Sequence, residues 1–192
     1  TDSNVVNVIG NLSGEGPHYV KVTGKITDST ILNIRKKIRN NSSCLVILDL
    51  SETTGVTEFY SKHITDSSSY TDCNTSVCKH NDFFDVDNLV GIKLPLGLKS
   101  VANDSFYSCE KLKSIEIPQG VTTIGNQAFY GCSDLENIII PEGVTSIGEY
   151  AFDGCTGLQD IWIDQLVTVI GTNAFRNWVD LTIHGIANSY AN

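Results

Sequence analysis

Phe83, Phe106, Phe129, Phe152 and Phe175 recur at a constant interval of 23 residues. Leu89, Leu112, Leu135, Leu158 and Leu181 keep the same interval, and so do Ile92, Ile115, Ile138 and Ile161. Pro95, Pro118 and Pro141 close three successive units, and Asp164 stands in their place in the fourth. A fixed period of this length is the signature of a repeat architecture. Each unit turns one apolar edge inward and cannot bury it alone, so the units stack at ~4.8 Å per strand into one continuous core. The chain is expected to be a solenoid.

One unit shows how. Leu135-Glu136-Asn137-Ile138-Ile139-Ile140 alternates as a strand, with Leu135, Ile138 and Ile140 facing inward. Pro141 ends it for want of an N–H, and Gly143 permits the turn. Val144 to Ile147 is a second extended piece, followed by an irregular arc carrying Ala151, Phe152 and Cys155. Nearer the N-terminus, His18–Gly24 reads as a strand, Ser29–Arg39 as a helix capped by Asp28, and Leu45–Ser51 as another strand. Ile31, Ile34 and Ile38 share one helix face. Together these form a β-α-β cap over 1–52. A polar excursion is expected over 53–81, full repeats over 82–166 and a C-terminal capping repeat over 167–192, all in one structural domain.

The stretches VTSIGEYAFDGCTGLQDIWI and VTTIGNQAFYGCSDLENIIIPEG resemble the BspA-like, or Treponema pallidum-type, leucine-rich repeats. The resemblance covers Leu89–Leu166 and extends through Leu181–Gly185 to Asn188-Ser189-Tyr190-Ala191, which is similar to the family's last turn. It implies a right-handed leucine-rich-repeat solenoid, with a parallel sheet on one face and short helical or irregular arcs opposite. It also implies export to the periplasm or cell surface, and recognition or adhesion without catalysis.

Charge excludes several functions. The net charge is −9, and residues 98–192 hold four Lys/Arg against eleven Asp/Glu. Such a surface repels phosphate and lacks the counterion release that drives nucleic-acid binding. The basic run Arg35, Lys36, Lys37 and Arg39 reads as a solvated helix face. No apolar run is long enough to cross a membrane. The sequence opens Thr1-Asp2-Ser3-Asn4 without Met, which leaves a removed secretion or lipoprotein signal open.

Chemistry-bearing residues are few. Cys109, Cys132 and Cys155 share one repeat column and read as a ladder of buried thiols. Cys73 and Cys78 lie in the polar excursion and, in an exported protein, read as a local disulfide. The alternative, zinc on Cys73, Cys78, His80 and His63, has a non-standard spacing. Cys44 reads as buried, with pairing to the loop left open. Asp82, Asp85 and Asp87 are a weak calcium candidate without the EF-hand pattern. His18, His63, His80 and His184 fall in no catalytic motif, so no enzyme and no cofactor are expected.

The remaining signal is a column of strand positions pointing away from the core: Asp49, Lys93, Glu116, Ile139 and Trp162. Two residues earlier the column reads Ile47, Gly91, Ser114, Asn137 and Asp160. Ile139 and Trp162 are unexpected occupants of a solvated face, and tryptophan anchors interfaces. Scattered surface hydrophobes, or cover by the C-terminal tail, would explain them equally. The leading expectation is a protein- or peptide-binding face of Trp162, Ile139, Glu116, Lys93, Asp160 and Asn137, with a host extracellular protein as one candidate ligand. The alternative is a structural protein that self-associates into a homo-oligomer.

Overall fold

The computed structural model describes residues 12–14, 16–41, 43–59, 83–178 and 181–185. It opens with β1 (His18–Lys25), α1 (Asp28–Asn40) and β2 (Val46–Thr54). Longer strands β3 (Leu89–Lys93), β5 (Ser114–Glu116), β7 (Asn137–Ile139), β9 (Asp160–Ile163) and β11 (Thr182–Gly185) then alternate with two-residue strands. The latter are β4 (Ser100–Val101), β6 (Thr123–Ile124), β8 (Ser146–Ile147) and β10 (Val169–Ile170). The long strands form a seven-stranded sheet in the order β1-β2-β3-β5-β7-β9-β11, and the short ones a four-stranded sheet in the order β10-β8-β6-β4. All pairings are parallel. One strand of each sheet per repeat, with an arc between, is the leucine-rich-repeat solenoid.

The core is a set of stacked columns. Phe83, Phe106, Phe129 and Phe152 are fully buried, and their rings lie parallel at centroid spacings of 5.2 to 5.7 Å. Phe175 continues the stack at 5.5 Å. Edge-on rings close both ends, Phe59 against Phe83 and Trp178 against Phe175. A second stack, Phe84–Tyr107–Tyr130, runs beside it. Cys109, Cys132 and Cys155 are buried and free, and each thiol donates to a carbonyl of the preceding coil, on Phe83, Phe106 and Phe129. The Phe106 and Phe129 carbonyls also accept the Cys109 and Cys132 amides, so the thiols join them as second donors.

Arc geometry also repeats. Asp104, Gln127, Tyr150 and Asn173 all adopt the left-handed region at φ 54–57°. That lets each arc reverse within a few residues and send its amides to the next coil, as Phe106, Phe129 and Phe152 do to Ala128, Ala151 and Ala174. Gly148 marks how tightly coils approach: a Cβ there would lie 2.4 Å from the Asn126 nitrogen.

Three expectations need correction at the N-terminal end. Thr27, not Asp28, caps α1: its hydroxyl accepts from the Thr30 amide while the Thr30 hydroxyl accepts from the Thr27 amide. Asp28 lies in the first turn instead, where a carboxylate suits the helix dipole. The basic run is a solvated face only in part: Lys37 is exposed and Lys36 half-buried. Arg35 is buried and donates to the Phe84 carbonyl, and Arg39 pairs with Asp85. Finally, β2 runs from Val46 through Thr54, past the expected strand end at Ser51. Thr53, Val56 and Phe59 are buried, so the second coil's core extends at least to Phe59.

Candidate recognition face

Strand pairing brings the six expected face residues onto one surface. Lys93 pairs in register with Glu116, Asn137 with Asp160, and Ile139 with Trp162. The first column continues to Lys21 and Asp49 at one end and to His184 at the other. Its two halves differ in chemistry.

The half nearer the N-terminus is a closed polar network. Lys93 and Glu116 are joined at 2.6 Å, and Lys21 and Glu52 at the same distance. Asp49 lies in the outward column yet is buried, at 4 % exposure. Burial would raise its carboxyl pKa. The Ser51 hydroxyl, the Tyr19 hydroxyl and the Ser51 amide all donate to it and outweigh that effect, holding the pKa at about 2. In turn the Asp49 bond pushes the Tyr19 phenol up. Every strong group here already has a partner within the fold.

The other half is apolar and open. Ile139 is 69 % exposed and Trp162 48 %. The His184 imidazole stacks on the indole at 4.3 Å, and its Nε2 lies 2.7 Å from Asp160 Oδ1. Trp162 is therefore held between two ladder neighbours, Ile139 on β7 and His184 on β11. His184 is the member of the face that sequence reasoning missed. It follows Trp162 by 22 residues, so a search at the repeat interval of 23 passes it by. The signal was Ile183, which pairs with Ile161 and sets the last strand's register.

The other candidates fall elsewhere. Cys73, Cys78, His63, His80 and Asp82 lie outside the described residues. Asp85 is engaged by Arg39, a cation occupying the carboxylate that calcium would need. Among the described residues no cluster of three or more His, Cys, Asp or Glu side chains is placed to hold a metal. Cys44 is buried, and its thiol donates to the Leu12 carbonyl. Among the described residues no helix is long and apolar enough to cross a membrane.

Residues 78–191 match six copies of the BspA type leucine-rich repeat region. A crystal structure of a T. pallidum leucine-rich-repeat protein is similar at 32 % identity and a TM-score of 0.52, over 53 % of this chain and 48 % of that one. The chain thus spans about half the length of that relative. A leucine-rich-repeat protein from Bacteroides ovatus aligns at 26 % identity and a TM-score of 0.43, over 70 % of this chain and 38 % of that one. A leucine-rich cell surface protein from Faecalibacterium prausnitzii aligns at 24 % identity and 0.49, over 92 % and 50 %. No curated protein matches the chain. With its stacked coils and the six matched copies, the chain belongs to the family of BspA-type leucine-rich-repeat proteins.

Proposed function

We propose that this chain is an exported, non-enzymatic module that binds a protein or peptide on the outward face of its seven-stranded sheet, at the cell surface or in the periplasm. The observation that carries the reading is the in-register pair Ile139–Trp162. These side chains are exposed at 69 % and 48 %, and their outward neighbours Glu116, Asn137 and Asp160 are polar. An apolar centre inside a polar rim is the layout of a recognition surface. The buried carboxylate on the face, Asp49, is engaged within the fold by Ser51 and Tyr19.

The test is affinity capture from serum and extracellular-matrix proteins with three baits: the native chain, Trp162→Ala and Ile139→Ser. A partner retained by the native chain and lost by both variants supports the reading, and equal capture by all three overturns it. Loss of a tryptophan anchor should weaken binding by about 2 kcal/mol or more.

A second reading, self-association, draws on another observation. Ile170 and Ile183 occupy columns whose inner members Ile147 and Ile161 are fully buried, yet they are 50 % and 54 % exposed. Among the described residues, β10 and β11 are edge strands of their sheets. Light scattering at high concentration decides: a strict monomer sinks the assembly reading and leaves the recognition face standing.

A further inference from the structure

From Ser114 to Phe175 the chain carries eight Asp and Glu and no Lys, Arg or His. The coils built from that stretch hold Ile139 and Trp162. Glu116 and Glu136 borrow their cations, Lys93 and Lys113, from outside it, and Asp160 is met by His184. Asp134, Glu142 and Glu149 have no ion-pair partner among the described residues. The stretch that carries the apolar pair therefore stays net negative, with Lys93, Lys113 and His184 offsetting three of its eight carboxylates.

We infer that the partner on this face is a cationic, extended polypeptide segment, with one apolar side chain set on Ile139 and Trp162 and Lys or Arg two positions to either side. The inference rests on the recognition reading and narrows it to one chemistry. A field of one sign speeds the approach of the opposite charge and rejects like-charged competitors.

Spacing supports the register. Strands lie ~4.8 Å apart, so the midpoint between Ile139 and Trp162 is ~7 Å from Glu116 on one side and from His184 on the other. Alternate residues of an extended peptide are also ~7 Å apart. A peptide crossing the strands thus brings its flanking cations over Glu116 at one end and Asp160 at the other, where each would join as the second partner of an exposed carboxylate already paired, with Lys93 and with His184. The Trp162 ring face on the β11 side is covered by His184, which leaves no room there for a guanidinium to stack. The cations must meet carboxylates, and the apolar side chain must meet Ile139 and the open indole edge.

Three labelled synthetic peptides test this by fluorescence anisotropy on the native chain. One has a central leucine with lysine at alternate positions on both sides. The second replaces its lysines with glutamate, and the third replaces its leucine with serine. The lysine–leucine peptide should bind at least tenfold tighter than either, and weaken as salt is raised. Trp162→Ala and Ile139→Ser should each weaken it about tenfold. Should Trp162→Ala disturb the last coil, Ile139→Ser carries the test, since that side chain is 69 % exposed and its loss leaves the core intact. A glutamate peptide that binds as well, and through Trp162, overturns the cationic assignment while the recognition face stands. A lysine peptide that fails to bind at millimolar concentration overturns it too. Binding indifferent to both substitutions overturns the assignment and counts against the face itself.

Discussion

Trp178 donates its indole N–H to the Phe152 carbonyl at 2.9 Å, the bond that Cys155 makes to Phe129 one coil earlier. The position belongs to the thiol column, 23 residues beyond Cys155. In the last coil the small buried donor gives way to a large one that also closes the phenylalanine stack edge-on. A bulky donor also covers more of this coil's face than a thiol does.

Phe129 lies in the middle of that stack, with like rings on both sides at 5.3 and 5.2 Å. Phe129→Ala should cost ~3–5 kcal/mol, the range for emptying a buried aromatic site. Denaturant melts read the loss directly, and one below ~1 kcal/mol would contradict the stacking. Because each coil contacts only its neighbours, the transition should also broaden.

The Asn88 carboxamide is buried, and its two hydrogens serve three carbonyls, on Ile38, Asn41 and Cys44. It ties the C-terminal end of α1 to the loop before β2. Asn88→Ala leaves those carbonyls short of a donor in a dry site and should cost about 2–4 kcal/mol. The checks are thermal unfolding and faster amide exchange confined to the end of α1.

Asp49 gives the fold an acid-sensitive element. Its carboxyl titrates at about 2 in the folded chain against an ordinary value of 3.8. The folded state therefore gains from the ionised form above pH ~3.8, and that gain fades as pH falls toward 2. Asp49→Asn should cost about 1–2 kcal/mol at pH 7 through weaker bonds to Ser51 and Tyr19. The gap to the native chain should close near pH 2. A gap independent of pH would show that the charge contributes nothing.

Thiol chemistry separates the two kinds of cysteine. Cys44, Cys109, Cys132 and Cys155 are buried, and burial pushes the Cys132 thiol well up from its ordinary value. These four should resist alkylation until the chain is unfolded. Cys73 and Cys78 are expected to be bridged, so intact mass should change by one disulfide on reduction. Six reactive thiols in the native chain, or bound zinc, would overturn that expectation.

The recurrence of Phe, Leu and Ile at one interval determined the solenoid, the phenylalanine stack and the thiol column. It also set the registers that place Ile139 beside Trp162 and Asn137 beside Asp160. That much is legible because each repeat meets the same neighbours, so a core column in space is a periodic column in sequence. Contacts made once have no such echo. Asn88 reaching α1 across some fifty residues, Arg35 turning inward to Phe84 and Tyr19 covering Asp49 were decided by how the irregular first coil docks on the regular ones. His184 belongs with them: the last coil is one residue short, and only strand pairing shows that its ring lands on Trp162. Periodicity specifies what repeats; a polar group buried a single time finds its partner only when tertiary packing brings the two together.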